Sequence, residues 1–262
     1  MHSKILFYFA IFSFMGWCLE SIYKTIIEKK FINSGFLYGT FCPIYGFGAI
    51  IMMNTLGKLP QNPLVIFIAG TIFLTLWEYI VGAILEKIFH TKYWDYSHLK
   101  YNFQGRICLK NSIYWGILAV VFTFIIYPIV ENLTAKIPSS ILFYTNIIIY
   151  IGLIADVIIT VTKMLFIDKK IEQLHEIGEM IKEKAEELKS MDVLEKVSVQ
   201  NMVTVIANLK EEQAKIKKSL YRLITRLKNA FPTMQSETIS KFINQKIDLK
   251  NIRNKIRRNK GE

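Results

Sequence analysis

Acidic side chains lie inside stretches of this chain that are otherwise apolar enough to cross a membrane. Glu20 occurs near the end of the first such stretch, Glu78 occurs within the third, and Glu86 follows at the end of the third. Ionisable groups are costly in hydrocarbon, and they occur there mainly where they pair with one another or serve an ion, proton or ligand pathway. These three glutamates are therefore the first candidates for functional residues.

A glycine-rich segment at the start of the second apolar stretch is the next candidate. Four glycines and Pro43 occur within residues 35–48, together with Tyr38 and Tyr45. This density favours either very close helix packing or a broken or re-entrant helix. A broken helix would leave backbone amides and carbonyls free for a ligand. We therefore predict that Tyr38, Pro43 and Tyr45 belong to a substrate-binding site.

The connection after the third stretch, residues 90–111, combines aromatic and polar side chains. Trp94 would suit an aromatic belt at the membrane interface, but a belt does not require Asp95, Asn102 or Arg106. We add these four residues to the predicted site. Three carboxylates facing one arginine would hold a proton, a cation or a zwitterionic head group.

The charged residues divide the chain into two regions. Residues 1–167 hold 12 Lys and Arg and 7 Asp and Glu, whereas residues 168–262 hold 21 and 14, out of totals of 33 and 21. The first region is too apolar for a water-soluble domain and also too apolar for a disordered one. We predict a transmembrane helical domain over residues 1–167 and a basic cytoplasmic helical tail over residues 168–262.

Five stretches of the first region approach the roughly 20 residues that a helix needs to cross a bilayer. They cover residues 5–27, 36–56, 64–85, 113–130 and 141–167. Helices are expected because a helix satisfies its own backbone hydrogen bonds in lipid. The predicted fold is an all-α, polytopic membrane bundle of about five transmembrane helices, followed by a helical or coiled-coil extension.

Positive charges predict the orientation of this bundle in the cell membrane. The connections after the first and third stretches hold seven Lys and Arg, whereas three lysines lie on the opposite side. The positive-inside rule then places the amino terminus outside and the tail in the cytoplasm. A re-entrant second stretch would instead place the amino terminus inside.

Apolar residues recur at three- and four-residue steps in the tail, which predicts amphipathic helices. Such a stripe needs a partner, which is another tail helix, a second copy of the chain or a cytoplasmic protein. The last ten residues add five Lys and Arg, and beside a membrane these favour anionic lipid head groups as ligands. Nothing interleaves aromatic residues with these charges as a nucleic-acid motif would.

Other kinds of site find no support in the sequence. Cys18, Cys42 and Cys108 are too few and too scattered for a disulfide framework, and no Cys and His spacing resembles a zinc site. We find neither a nucleophile elbow nor a glycine-rich loop that ends in Gly-Lys-Ser/Thr to bind phosphates. We therefore predict no catalytic residue, no metal and no cofactor.

Taken together, the motifs of residues 5–165 resemble a family of bacterial inner-membrane proteins, the ABC-transporter type IV or CmpB-like permeases. The resemblance rests on Gly16-Trp17 with Glu20, on residues 35–39 and 42–48, on Glu78 and Glu86, on residues 94–97 and 102–109, and on Trp115-Gly116. It implies transport. Because the chain lacks a phosphate-binding loop, it also implies that the ATPase is a separate chain, which the tail helices would dock.

The sequence thus predicts a permease-like transporter subunit with a polar intramembrane pocket that faces the cytoplasm. One alternative is a membrane enzyme for a lipid or lipid-linked substrate, with Glu78, Glu86, Asp95 and Arg106 as acid–base and phosphate-binding groups. It is less favoured because no catalytic arrangement is recognisable. The other alternative is a membrane anchor that recruits a cytoplasmic partner through its tail.

Overall fold

The computed structural model describes residues 2–190, 196–240 and 242–243, and these residues are almost entirely helical. This confirms the predicted all-α class. The described chain forms two compact units. Of the described residues, the membrane unit contains those up to Val161 together with Leu227–Ser236, and the tail unit contains those within Thr162–Arg226 and within 237–243.

The helices follow one another along the chain with few strands between them. In chain order they are α1 (His2–Glu28), α2 (Pro43–Thr55), α3 (Pro63–Phe89), α4 (Leu109–Val121), α5 (Tyr127–Ala135), α6 (Ser139–Leu165), α7 (Ile167–Ser190) and α8 (Lys196–Ala230). A short antiparallel hairpin of β1 (Asn102–Phe103) and β2 (Ile107–Cys108) lies between α3 and α4.

Four helical segments of the described chain are long and apolar enough to cross a membrane. They are Ser3–Glu28, Pro63–Phe89, Leu109–Ala135 and Ser139–Leu165. At 1.5 Å per residue, such segments reach about 40 Å, which exceeds the roughly 30 Å of a bilayer's hydrocarbon core. Many of their large apolar side chains face outward, which is favourable in lipid. The chain is a multi-pass membrane protein.

The third of these segments joins α4 to α5 through a π-helical turn at Phe122–Ile126. Pro128 follows this turn and is the second residue of α5. Proline lacks a backbone N–H, and in a regular helix its ring would clash with the carbonyl group four residues earlier. The wider turn accommodates this conflict, so the helix continues as one membrane segment.

The second predicted crossing is not a long helix. α2 has only 13 residues, and residues 31–42 before it are not helical. Pro43 occupies the first position of α2, where a missing N–H costs no hydrogen bond. The structure therefore adopts the broken opening that the glycines and the proline favour, in place of a fifth full-length helix.

The non-helical segment carries the chain back along α1. At one end the amide of Ile32 donates to Oγ1 of Thr25 at 3.1 Å. At the other end the amide of Cys42 donates to the carbonyl of Ser13 at 2.9 Å. The extended residues thus run from the end of α1 to its middle.

α2 continues in the same direction beside the first half of α1. Gly46 lies against Phe9, and Met52 shares a buried apolar cluster with Tyr8. We count the extended segment and α2 together as one passage through the bundle, which makes five passages among the described residues with the four long helices. We call the end where α1 and α3 finish the inner end, and the opposite one the outer end.

Direct contacts between side chains and backbone show how the remaining helices of the membrane unit are arranged. α6 runs parallel to α1, since Nδ2 of Asn146 donates to the carbonyl of Ser3 at 2.7 Å and the Tyr150 hydroxyl donates to that of Leu6 at 3.0 Å. α3 and α4 are antiparallel, with Gly70 of α3 against Ala119 of α4. The apolar core, which contains Tyr8, Phe12, Ala49, Met52, Leu56, Ile66, Leu74, Ala119, Phe122 and Val130, fills the outer half.

In the tail unit, α7 and α8 bury the stripes that their periodicity predicts. Ile171 and Ile177 of α7 and Leu220 and Leu223 of α8 are all less than 10% exposed. The two helices meet where Gly178 faces Gln213, with 3.5 Å from a Cβ built on the glycine to Nε2 of the glutamine. Of the three partners considered for the stripe, another tail helix is therefore present within the same chain. The basic cluster of the last ten residues lies outside the described residues.

The close approach at Gly46 provides a test of the α1–α2 packing. A Cβ on Gly46 would lie 2.7 Å from the carbonyl oxygen of Phe9 and would also collide with the Ser13 side chain, whereas a Cβ on Gly152 would meet nothing within 4 Å. We expect Gly46→Ala to destabilise the bundle by about 1–3 kcal/mol, because backbone cannot move aside cheaply. Gly152→Ala is the matched control and should leave the thermal unfolding midpoint in detergent unchanged. Equal midpoints for the two variants would contradict this packing.

Candidate functional site

Glu78 is a buried carboxylate in the middle of a membrane helix. Its side chain belongs to α3 and is 4% exposed. Oε1 accepts a hydrogen bond from the Tyr96 hydroxyl at 3.1 Å, and Oε2 accepts one from Nε1 of Trp115 at 2.9 Å. Each oxygen therefore has a donor, as a buried polar group requires. These two bonds tie α3 to α4 and to the connection that contains Tyr96.

Residues 91–108, which we call the cap, fold over the inner half of α3. Burial raises the pKa of the Tyr96 phenol, and the charge of Glu78 and the hydrogen bond to it raise that pKa further. Tyr96 consequently stays protonated and remains a donor to Glu78. Its backbone amide donates to the carbonyl of Gly105 at 2.8 Å, which fixes its position in the cap.

Asp95 organises the cap rather than entering the bundle. It is 6% exposed, and its Oδ1 accepts hydrogen bonds from the hydroxyl of Ser97 at 2.7 Å and from its amide at 3.3 Å. Gly105 packs directly on this carboxylate with a φ of +70°, so a side chain there would be both strained and obstructed. Asn102 closes the neighbouring turn, because its Oδ1 accepts from the Gly105 amide and its Nδ2 donates to the Leu99 carbonyl.

Arg106 pairs with Glu86 where the cap meets α3. Its Nε and Nη2 both donate to Oε2 of Glu86, at 3.0 Å and 2.9 Å. Its guanidinium lies 5.5 Å from the centre of the Tyr79 ring, and it also contacts Gln104. Hydrogen bonds that involve two charged groups are stronger than neutral ones, so this pair clamps the cap to the helix.

Trp94 fills the space beside a glycine of the same helix. Its ring lies 3.2 Å from a Cβ built on Gly82, and its Nε1 donates to the carbonyl of Arg106 at 2.9 Å. The ring thus supports the arginine that binds Glu86.

Glu20 occupies a second polar position, between α1 and α2. Its Oε2 accepts from Nζ of Lys24 at 2.9 Å, and its Oε1 accepts from the Tyr45 hydroxyl at 3.1 Å. The pair with Lys24 is the i,i+4 pair that the sequence predicts. The Tyr45 ring lies 5.8 Å from that of Trp115, so aromatic contacts connect the Glu20 and Glu78 positions.

A cavity of about 30 Å³ adjoins Glu78 between α2, α3 and α4. Tyr45, Trp77, Glu78 and Trp115 line it together with Ile44, Gly48, Met52, Leu74 and Leu118. This volume suits one or two water molecules or a small ion, since one water needs about 10–15 Å³. Of the ten residues predicted for the substrate-binding site, Tyr45 and Glu78 line this cavity.

Asp156 satisfies the backbone amides that the broken second passage exposes. Its Oδ1 accepts from the amide of Tyr38 at 3.0 Å, and its Oδ2 accepts from that of Gly39 at 2.7 Å. Thr160 donates to Oδ1 as well, at 3.1 Å. The amides that we predicted for a ligand are thus bound by a side chain of α6. Asp156 therefore has a structural role in holding the broken second passage.

The Leu227–Ser236 segment, which includes the end of α8, docks on the inner end of the membrane unit. The carbonyl of Ala230 accepts from Nζ of Lys24 at 2.6 Å, and Phe231 packs edge-on against Tyr93 with 5.2 Å between ring centres. Lys92 and Gln235 exchange two backbone hydrogen bonds of 2.9 Å and 2.8 Å.

The same segment reaches the cap through side chains. Nε2 of Gln235 donates to Oδ2 of Asp95 at 2.6 Å, and the amide of Asp95 donates to Oγ1 of Thr233 at 3.2 Å. Asp95 precedes Tyr96, the donor to Glu78. The segment therefore touches both Lys24, which binds Glu20, and the part of the cap that binds Glu78.

The structure groups the predicted site residues differently from the expectation. It brings Glu78, Tyr45 and the cap together at the inner half of the bundle. The three glutamates do not converge on Arg106: Glu86 binds Arg106, Glu78 binds Tyr96 and Trp115, and Glu20 binds Lys24 and Tyr45. Tyr38, Pro43, Trp94, Asp95 and Asn102 shape the segments around these carboxylates.

Sequence reasoning missed three groups that matter to this site. Tyr96 and Trp115 entered only through the motifs that carry the family resemblance. Gln235 lies 140 residues from its partner Asp95, and no local pattern relates them. The signal for Trp115 was available in part, because a buried carboxylate requires donors and an indole N–H on a membrane helix is one.

The pair of Arg106 and Glu86 yields a test of the cap. Arg106→Ala removes a charged hydrogen bond and leaves Glu86 without this partner, so we expect a loss of about 1.5–3 kcal/mol in local stability. Hydrogen exchange of residues 92–108 should accelerate accordingly. Lys100→Ala removes the same charge from an exposed position of the cap and should leave the exchange unchanged. Similar exchange in both variants would show that the pair does not hold the cap.

Comparison with known proteins identifies the family to which this chain belongs. The model of the family described as putative ABC-transporter type IV matches residues 7–161, which is more than half of the chain. The matched region contains α2 to α5 and the cap in full, and all but the first residues of α1 and the last residues of α6. No curated protein and no solved structure matches the chain. The chain therefore belongs to the putative ABC-transporter type IV family of membrane proteins.

Proposed function

We propose that this protein is the membrane subunit of a transport system and that the Glu78 position is its polar intramembrane site. The observation that carries the proposal is a carboxylate buried to 4% exposure on a membrane helix, at the wall of a cavity, in a chain of a transporter-type family. Carboxylates inside a membrane domain mark ion and substrate pathways in general. Access from the cytoplasmic side would pass through the cap.

The orientation proposed for the chain follows from its five passages. An odd number of passages places the ends of the membrane unit on opposite sides, and Lys29, Lys30, Lys92, Lys100 and Arg106 all lie at or near the inner end. The positive-inside rule makes this end cytoplasmic and places the amino terminus outside. The tail then lies in the cytoplasm.

A separate ATPase is the partner that we propose for the tail. The family suggests ATP-driven transport, and the 262 residues contain no glycine-rich loop ending in Gly-Lys-Ser/Thr. α7 and α8 carry most of the charged residues of the described chain and offer an extensive polar surface to a cytoplasmic protein.

The Leu227–Ser236 segment is the proposed route from this partner to the site. α8 is a continuous helix from Lys196 to Ala230, and its last residues are part of the membrane unit. Gln235 holds Asp95, and the next residue, Tyr96, holds Glu78. A displacement of this segment would therefore disturb the donor to the buried carboxylate.

Co-purification tests the partner. We expect an ABC-type ATPase to accompany the full chain when it is extracted gently from its native membrane, with both detected by native mass spectrometry. Truncation of the whole tail is a poor test, because it also removes hydrogen bonds of the membrane unit to Ala230 and Gln235. Charge reversal at exposed positions of α8, Lys210→Glu with Lys218→Glu, keeps these bonds and should release the ATPase.

Loss of the Glu78 charge tests the site. Glu78→Gln retains a similar side-chain shape without the charge. It should lower the rate of ATP hydrolysis by the co-purified complex in liposomes by about tenfold or more, which is the scale expected when a charge-assisted interaction is lost. Insertion of the variant into the membrane should be normal. Glu131→Gln, which removes a carboxylate near the outer end, is the control and should retain the rate. A Glu78→Gln complex with full activity would exclude this site.

A further inference from the structure

Among the described residues, Glu78 differs from Glu20 and Glu86 in belonging to no ion pair with a cationic side chain. Glu20 has Lys24, and Glu86 has Arg106. Glu78 has two neutral donors, and each of its oxygens accepts one hydrogen bond. Two donors can satisfy the oxygens of an ionised carboxylate, but a negative charge in such surroundings is strongly destabilised unless a charge of the opposite sign lies nearby.

The cavity beside Glu78 provides space for that charge. Its volume of about 30 Å³ lies between α2, α3 and α4. Three aromatic side chains, those of Tyr45, Trp77 and Trp115, line it with the carboxylate. Each ring is also held in place by its polar atom: the Tyr45 hydroxyl binds Glu20, Nε1 of Trp77 binds the Ile44 carbonyl at 2.9 Å, and Nε1 of Trp115 binds Glu78.

Aromatic walls and one carboxylate favour a particular class of cation. Ammonium groups are attracted to aromatic ring faces, and the interaction strengthens when water is excluded. Hard metal ions such as Mg²⁺ and Ca²⁺ prefer six or more oxygen ligands. Of the nine residues that line the cavity, only Tyr45 and Glu78 have side-chain oxygens, and the Tyr45 hydroxyl already donates to Glu20.

We propose that this cavity binds a small ammonium-type cation, of the size of ammonium or methylammonium, with Glu78 as its counter-charge and Tyr45, Trp77 and Trp115 as its aromatic wall. We further infer that this cation is the species that the protein transports, and this part of the inference rests on the proposed function. Binding itself does not require the ATPase, so it can be measured on the membrane protein alone.

The test is a titration of the purified full chain in detergent with methylammonium chloride, followed by tryptophan fluorescence, against sodium chloride at equal ionic strength. Trp77 and Trp115 line the cavity and should report a saturable change that sodium does not produce. Glu78→Gln should abolish it, and Glu131→Gln should preserve it. Trp77→Leu removes one aromatic ring and should weaken binding by about fivefold to thirtyfold, the scale of one desolvated cation–π contact.

A second variant guards against a Glu78→Gln protein that fails to fold. A Cβ on Gly48 would make ordinary contacts, 3.5 Å from Leu74 and 3.9 Å from Trp77, so Gly48→Ala narrows the cavity without displacing a neighbour. It should weaken methylammonium binding while the thermal unfolding midpoint stays unchanged. Gly152→Ala, which adds the same methyl group where nothing lies within 4 Å, should bind normally.

Three results would overturn the inference. The first is the absence of a saturable response to methylammonium, and the second is a response that persists unchanged in Glu78→Gln. The third is a protein that binds no methylammonium and whose infrared spectrum shows the band of a protonated Glu78 carboxyl, because a neutral Glu78 needs no counter-charge. If any of these occurs while the ATPase still co-purifies with the chain, the ligand class is wrong and the transport function stands.

Discussion

The membrane unit depends on how it satisfies carboxylates that lie within its helices. Every oxygen of Glu78 and Asp156 accepts at least one hydrogen bond from another part of the fold. An unsatisfied acceptor in this environment would cost several kcal/mol, so these bonds restrict which elements can be neighbours. Glu78 requires α4 and the cap beside α3, and Asp156 requires the extended second passage beside α6. The surrounding contacts are between apolar side chains, and contacts with lipid could replace them without penalty. The polar hydrogen bonds therefore largely determine which helices pack together.

The broken second passage illustrates this dependence. Residues 31–42 lack the internal hydrogen bonds of a helix, and a segment of this kind is tolerated at membrane depth only where protein surrounds it. Thr25 and the backbone of Ser13 on α1 accept some of its amides, and Asp156 accepts two more. The extended conformation in turn starts α2 near the middle of α1. As a result Tyr45 can reach both Glu20 and the cavity beside Glu78.

The sequence allowed the class of the fold, the helical tail and the position of the break to be predicted, because each depends on local composition. Apolar length predicts α1, α3, α4–α5 and α6, and the glycines around Pro43 predict an interruption. The partners of the polar residues could not be predicted in the same way. The bonds from Trp115 to Glu78 and from Asp156 to Tyr38 join residues 37 and 118 positions apart, and they depend on which helices pack together. Helical periodicity fixes the face on which a residue lies but not the element that it meets.

The docked Leu227–Ser236 segment has a consequence for how the protein is made. Lys24 hydrogen-bonds a carbonyl 206 positions later in the chain, and Asp95 binds Gln235 across 140 positions. During synthesis the long helices enter the bilayer in order, well before the ribosome has produced these partners. The early helices must therefore remain in the membrane with part of their inner surface uncovered, and only translation of residues 227–236 allows that surface to close. Assembly at the inner surface is thus a step that follows insertion of the long helices.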